Sequence, residues 1–270
     1  MIVETSSGPV RLAANLKWLF TEVPFAERFD AAAEAGFTAV EFASPYELAP
    51  AEVRRLLDDA GLTQILINTP AGAAGSATAS GAAYVPGAEQ EFRDGVLRAL
   101  EYAAVLGAGV VHAMAGIAPS AADADDDAAF ATYVSNISWA AAQARGTGVR
   151  IALEAINKRD QPGYGLASME TAAAVAQAVD PDVVGVLFDV YHAQVDRGNV
   201  IERFEQLQPT VVHVQIADNP GRGEPGTGEI AYERVLARIA QSGYPGWIGC
   251  EYAPVAGTRE GLSWIERTLR

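Results

Sequence analysis

Short apolar runs that each end in a side chain with an oxygen atom recur through the second half of the chain. Four runs of about four to six residues occur, too short for core helices and typical of buried strands. They end at Glu154, Asp189, Gln215 and Glu251. The gaps of 35 (189−154), 26 (215−189) and 36 (251−215) residues each accommodate a helix and two loops. This spacing predicts parallel strand–helix–strand units.

The first half of the chain continues the alternation. Strands are predicted at 11–16, 38–42, 63–68, 110–114, 149–154, 183–189, 211–215 and 247–251. Helices are predicted at 24–35, 50–60, 89–106, 123–145, 168–179, 200–207, 229–242 and 257–269. Eight pairs without a linker predict a single (β/α)₈ TIM barrel over residues 1–270, for which about 250 residues are typical. The Gly-, Ala- and Ser-rich stretch 70–87 is predicted to be an irregular loop that covers the active site.

Polar residues stand at the end of almost every predicted strand. They are Asn15, Glu41, Asn68, His112, Glu154, Asp189, Gln215 and Glu251. The carboxyl ends of all strands in a parallel barrel meet at one face, where barrel enzymes carry their active sites. The pattern therefore predicts an active site at that face.

Composition and charge narrow the function further. The chain is 50% hydrophobic and 20% charged, as expected for a globular enzyme with a full core. Its net charge of −15 disfavours nucleic acid as a partner. No apolar run approaches the roughly 20 residues that cross a membrane, and the amino terminus lacks a secretory pattern. One cysteine fits a reducing compartment, so we expect a soluble cytoplasmic protein, with homo-oligomer formation left open.

The four strand-end residues form an oxygen-only set. Three carboxylates and one amide oxygen suit a divalent metal ion, Mg²⁺ or Mn²⁺. We therefore predict that Glu154, Asp189, Gln215 and Glu251 bind this cofactor. The alternative for a single glutamate is a structural ion pair or a solvated strand end. A buried carboxylate is costly unless it is paired or metal-bound, which favours the metal.

Four further residues are predicted to bind a small sugar-acid substrate. His192, three residues after Asp189, could bond a substrate hydroxyl, and Asn68 ends the third strand at the same face. Arg222 lies in a glycine-rich stretch that lacks the Lys-Ser/Thr pair of a phosphate loop. Its guanidinium could grip a carboxylate with two hydrogen bonds, and Lys158 is a second candidate for that role.

The remaining polar residues receive structural interpretations. His213 is expected to be buried behind Gln215 on the same strand face, as a packing group or as support for the metal ligands. Cys250 is expected to be a small buried apolar residue, and His112 is left undecided. The acidic cluster at 123–127 is interpreted as the amino terminus of a helix, where negative charge is favourable.

The predicted site suits proton transfer. A divalent cation held by a ketone oxygen and an adjacent hydroxyl acidifies the C–H between them and stabilises an enediolate. Glu154 and Glu251 are the predicted catalytic pair: one removes a proton and the other returns it at the neighbouring carbon, which is isomerisation or epimerisation.

Several motifs resemble hydroxypyruvate isomerases of the xylose-isomerase-like barrel superfamily, over nearly the whole chain. The most specific stretches are 213–220 (HVQIADNP), 222–230 (RGEPGTGEI) and 246–252 (GWIGCEY). The resemblance implies interconversion of hydroxypyruvate and 2-hydroxy-3-oxopropanoate (tartronate semialdehyde). It implies the same catalytic pair, Glu154 and Glu251, and metal ligation by them with Asp189 and Gln215.

Other stretches depart from that pattern. Ile67 stands where the resembled isomerases often have histidine, the loop after 70–72 lacks their Asp-Trp, and 157–160 differs from their usual run. The stretches 20–25, 68–69 and 111–116 resemble a sister group that isomerises 2-oxo-tetronates. The alternatives are thus a 2-oxo-tetronate isomerase and a ketose 3-epimerase. An inosose-dehydratase-like lyase, a superfamily endonuclease and a non-catalytic sugar-binding protein are further alternatives.

Overall fold

A computed structural model describes residues 1–119 and 126–269, and its central feature is a parallel barrel. The strands are β1 (Ile2–Thr5), β2 (Gly8–Asn15), β3 (Ala39–Glu41), β4 (Thr63–Gln64), β5 (Leu66–Asn68), β6 (Val110–His112), β7 (Arg150–Glu154), β8 (Val184–Asp189), β9 (Val211–Ile216) and β10 (Ile248–Cys250). The order of paired strands is β4-β3-β2-β10-β9-β8-β7-β6-β5, all parallel. The predicted barrel of parallel strands and surrounding helices is confirmed.

The barrel closes through the third predicted strand, residues 63–68. That strand is divided into β4 and β5, which are the two ends of the strand order, with Ile65 between them. The Ile65 N–H donates to Val40 of β3, and its carbonyl accepts from Val110 of β6. Residues 63–68 therefore act as one strand that bonds to both neighbours, although the pairing is interrupted inside it.

Helices cover the outside of the barrel. They are α1 (Arg28–Glu34), α2 (Pro50–Ala60), α3 (Glu89–Leu106), α4 (Asp126–Ala144), α5 (Met169–Val179), α6 (Val190–Asp196), α7 (Val200–Leu207), α8 (Tyr232–Gln241), α9 (Thr258–Gly261) and α10 (Trp264–Leu269). Short 3₁₀ turns occupy Phe25–Glu27 and Gln208–Thr210. Among the described residues, no helix combines the length and apolar character needed to span a bilayer.

Several predicted boundaries were wrong. The sequence-based assignment missed α6 and the hairpin that β1 forms with β2, and the last predicted helix is divided into α9 and α10. The helix predicted at 229–242 starts three residues later, at Tyr232. Of the acidic cluster, Asp123 and Asp125 lie outside the described residues, and α4 begins at Asp126.

Candidate active site

Three acidic side chains meet at the carboxyl face of the barrel. Glu154 ends β7, Asp189 ends β8, and Glu251 directly follows β10. Parallel pairing places Glu154 beside Leu187 and Asp189 beside Gln215, so the strand ends are level with one another. The predicted convergence of these residues follows from this register.

Arg222 is the cation in direct contact with this cluster. Its Nη2 lies 3.5 Å from Asp189 Oδ2 and 3.4 Å from Glu251 Oε2. The guanidinium also lies 5.0 Å from the ring centres of both Trp18 and Tyr191. The two rings and the two carboxylates hold the arginine over the barrel mouth. Burial lowers its pKa, but the neighbouring carboxylates outweigh burial and raise it overall.

The loop that carries Arg222 is folded around a buried aspartate. Asp218 Oδ1 accepts hydrogen bonds from the backbone N–H groups of Asn219 (2.9 Å) and Ile230 (3.1 Å), and its Oδ2 accepts from Gly226 (2.8 Å). Arg222 itself has a left-handed backbone, with φ of 56°. The glycine-rich stretch is therefore an ordered turn that places Arg222 beside the acidic cluster.

The acidic cluster has unusual electrostatics. Burial, together with the charges of Glu251 and Asp189, raises the pKa of Glu154 well above its usual range. Burial also raises the pKa of Asp189 and of Glu251, although Arg222 opposes both shifts. When all three are ionised, these carboxylates and Arg222 together leave two negative charges uncompensated (3 − 1 = 2), before the nearby buried Glu41 is counted. A divalent cation would neutralise them.

His192 faces the cluster in a defined tautomer. The backbone N–H of Asn157 lies 3.4 Å from His192 Nδ1, and the Asn157 side-chain Nδ2 lies 2.6 Å from it. Asn157 Oδ1 accepts from the backbone N–H groups of Arg159 and Asp160, which fixes the amide orientation. Since both atoms that approach Nδ1 are donors, Nδ1 must accept. The ring proton therefore stands on Nε2.

The Nε2 atom of His192 points at two carboxylates. It lies 3.7 Å from Glu154 Oε1 and 3.6 Å from Asp189 Oδ2. These three residues are a group within the described part of the chain whose ligand atoms could hold a metal ion. Because Nε2 carries the proton, the ring is arranged to donate a hydrogen bond rather than to ligate. Burial and Arg222 lower the pKa of His192 to about 3, so the ring is neutral at neutral pH.

His112, which the sequence left undecided, lies beside the same glutamate. Its Nδ1 is 3.4 Å from Glu154 Oε2, and the ring is 3% exposed. Burial lowers the pKa of His112 to about 3, so this ring is also neutral at neutral pH. A neutral Nδ1–H donor would orient Glu154 without cancelling its charge.

Gln215 lies over a buried carboxylate that sequence reasoning missed. Its Nε2 donates to Glu41 Oε1 (2.7 Å), while its own Oε1 is buried and has no hydrogen-bond partner. Glu41 Oε1 also accepts from Asn15 Nδ2 (2.9 Å), and His213 Nε2 lies 2.5 Å from Glu41 Oε2. His213 is thus buried behind Gln215, as predicted. An unpartnered amide oxygen on a residue paired in register with Asp189 fits a hard divalent cation.

One signal for Glu41 was present in the sequence. Gly249 is the middle residue of the short strand β10, and a Cβ atom there would lie 2.3 Å from both carboxylate oxygens of Glu41. A glycine inside a strand often marks such a close approach. Glu41 was noted only as a polar strand end, because nothing in a single sequence pairs it with a glycine about 200 residues away.

The other predicted substrate-binding residues lie in different places. Asn68 lines a cavity of about 720 Å³ at the barrel mouth, together with Phe42, Met114 and Tyr164. Residues of the irregular stretch 70–87 form part of its wall, and that stretch contains neither helix nor extended strand. Lys158, by contrast, is exposed and lines a surface groove beside Phe130. Its predicted contact with substrate stays a prediction.

A parallel barrel with buried carboxylates and an arginine at its carboxyl face is the arrangement expected of a TIM-barrel enzyme. Residues 29–268 match the family described as xylose isomerase-like TIM barrel. The chain belongs to this family.

The chain is also similar to individual proteins over nearly its whole length. It is 45% identical to a 2-oxo-tetronate isomerase of Cupriavidus necator, over 96% of this chain and 98% of that protein. It is 39% identical to the hydroxypyruvate isomerase of Escherichia coli, over 95% and 98%. A crystal structure titled AP endonuclease, family 2, from Brucella melitensis matches with a TM-score of 0.90 and 40% identity, over 97% and 100%. The protein is an isomerase of this family.

Proposed function

We propose that the protein isomerises a short 2-oxo-3-hydroxy acid by moving a proton between C3 and C2. The observation that carries this proposal is the position of Arg222 between Asp189 and Glu251, at 3.5 and 3.4 Å. This is a carboxylate-binding cation beside Glu251, one of the proposed catalytic pair, and beside Asp189, a proposed metal ligand. Because a simple ketose lacks a carboxylate, a 3-epimerase would not need a carboxylate-binding arginine in this position.

The reaction would use Mg²⁺ or Mn²⁺ as cofactor, held by Glu154, Asp189, Gln215 and Glu251. Support comes from the hard donor set, the unpartnered Gln215 oxygen and the two uncompensated negative charges. When bound, the cation would polarise the substrate carbonyl and the neighbouring hydroxyl, which makes the C–H between them more acidic.

Four residues of the chain would carry out proton transfer and substrate binding. One of Glu154 and Glu251 would start deprotonated and take the proton from C3, and the other would start protonated and deliver a proton to C2. The hydroxyl proton on O3 would pass to O2, and proton exchange with water would then restore both glutamates. The neutral His192 would donate its Nε2 proton in a hydrogen bond to a substrate oxygen, and Arg222 would hold the substrate carboxylate.

Hydroxypyruvate and a 2-oxo-tetronate both carry the required 2-oxo-3-hydroxy acid unit. Hydroxypyruvate, which would yield tartronate semialdehyde, remains our first candidate from the sequence motifs. The 2-oxo-tetronate is the second candidate, favoured by the 45% identity to a relative of that name.

Proton NMR in D₂O would test the proposal. The metal-reconstituted protein receives each acid in turn, alongside Glu154→Gln, Glu251→Gln and the surface control Glu34→Gln, whose partner is Arg259. We expect carbonyl migration with deuterium at C2 in the wild type and the control but not in the two site variants. The ratio of kcat/KM values for the two acids then selects the substrate. If neither acid loses its C3 proton with either metal, the proposed function is wrong.

A further inference from the structure

We propose that Glu41 is a positioning residue that sets the orientation of the Gln215 amide and so presents its oxygen to the metal ion. This inference rests on the proposed function, because it assumes that Gln215 is a metal ligand. Glu41 is fully buried on the inner side of β3, beneath the acidic cluster. Its hydrogen-bond partners are Asn15, His213 and Gln215, none of which is a predicted substrate-binding residue.

The first step concerns how Glu41 is held. Its Oε1 receives hydrogen bonds from the side-chain amides of Asn15 (2.9 Å) and Gln215 (2.7 Å), while His213 Nε2 approaches Oε2 (2.5 Å). Asn15 is itself oriented, because its Oδ1 accepts from the Lys17 backbone N–H at 3.1 Å. Three donors on two oxygens leave the carboxylate little freedom to rotate.

The second step concerns space. Gly249 of β10 is paired in register with Gln215 of β9. Any Cβ at position 249 would stand 2.3–2.4 Å from the Glu41 carboxyl atoms. Because Gly249 has no side chain, there is space beside β10 for the Glu41 carboxylate of β3. In that space the carboxylate accepts the hydrogen bond from Gln215.

The third step concerns the amide itself. A glutamine amide can rotate by half a turn and exchange its oxygen and nitrogen at little steric cost. If Gln215 did so here, its oxygen would meet the Glu41 carboxylate oxygen at 2.7 Å, and two acceptors at that distance repel each other. The carboxylate therefore selects the orientation in which Nε2 points inward and the unpartnered Oε1 points away from Glu41.

Metal affinity measured by calorimetric titration with Mn²⁺ tests the proposal. Glu41→Met removes the acceptor, and Glu41→Gln removes the charge but keeps one acceptor oxygen. In Glu41→Gln the remaining amide oxygen should occupy the Oε1 position, because Asn15 and Gln215 both donate there. His213, at the other position, can change tautomer and accept from the new amide nitrogen. We expect Glu41→Met to weaken Mn²⁺ binding about 10- to 100-fold and Glu41→Gln by no more than about 3-fold.

A double-mutant cycle separates orientation from simple charge. In a Gln215→Ala background, Glu41→Met should change Mn²⁺ affinity by less than about 2-fold, because there is no amide left to orient. The matched control is Glu224→Gln, the same change at another buried glutamate, which bonds the Val255 N–H. We expect that control to bind Mn²⁺ like the wild type.

Other results would overturn the inference. Equal losses in Glu41→Gln and Glu41→Met, or a loss that persists in the Gln215→Ala background, would show that Glu41 acts as a charge. If Glu41→Met does not fold, NMR of the wild type labelled with ¹⁵N-glutamine tests the hydrogen bond between Gln215 and Glu41 instead. A Gln215 side-chain NH₂ that exchanges with solvent as fast as exposed glutamines would exclude the bond to Glu41. A wild type that binds no Mn²⁺ would instead refute the metal in the proposed function.

Discussion

Replacing Gly249 by alanine offers a direct test of the packing that supports the site. The new Cβ would lie 2.3 Å from both Glu41 oxygens, whereas ordinary contacts begin near 3.4 Å. The carboxylate would therefore have to retreat by about 1 Å (3.4 − 2.3). Asn15, Gln215 and His213 hold it at 2.5–2.9 Å, so this retreat must lengthen at least one contact beyond hydrogen-bonding distance.

The expected cost of Gly249→Ala follows from these contacts. A lost hydrogen bond to a charged group costs about 1.5–3 kcal/mol, and overpacking a core costs about 1–3 kcal/mol. We expect the free energy of unfolding to fall by about 2–4 kcal/mol, since relaxation recovers part of the sum. An unfolding entropy of about 2.1 cal/mol/K per residue, over 270 residues, converts this to a fall in Tm of about 4–7 °C.

Calorimetry would measure the fall in Tm, and Mn²⁺ titration of the same samples would measure the effect on metal affinity. The matched control is Gly109→Ala, because no atom lies within 4 Å of a Cβ built there and its φ is not in the left-handed region. We expect that control to keep or slightly raise the Tm. Combining Gly249→Ala with Glu41→Asp should recover part of the Tm, because a shorter side chain withdraws from the clash. An unchanged Tm and Mn²⁺ affinity in Gly249→Ala would refute the close packing of Glu41 against β10.

Three further predictions concern the site itself. Arg222→Lys should raise KM for the acid about 10- to 100-fold in steady-state kinetics, because lysine cannot grip a carboxylate with two parallel bonds; an unchanged KM would contradict this. Asn157→Asp should move the His192 proton from Nε2 to Nδ1, visible in ¹⁵N NMR of a chain with three histidines. The folded pKa of Glu154 is raised, so the stability that this one group contributes to the metal-free protein should be fully present below about pH 4.5 and be lost as the pH rises through the raised pKa; Glu154→Gln should remove that part of the pH dependence in urea denaturation.

The strand–helix alternation and the set of residues at the strand ends could be predicted from the sequence. Both depend on local periodicity: a buried parallel strand is a short apolar run, and its end is the first place where a polar side chain reaches solvent or a ligand. The placement of Glu154, Asp189 and Glu251 together follows from that pattern and the barrel topology. The hairpin of β1 and the one-residue break at Ile65 had no such periodic signal.

Only the tertiary structure decided how the site is supported. The contacts of Glu41 with Gln215 and Gly249 join strands about 170 and 210 residues apart, and single-sequence periodicity carries no information about such pairs. The tautomer of His192 likewise depends on Asn157, 35 residues away, through a turn that no apolar pattern marks. Local residue pattern determines which side chains reach the carboxyl face. Their orientation and protonation depend on contacts that exist only after the barrel has closed.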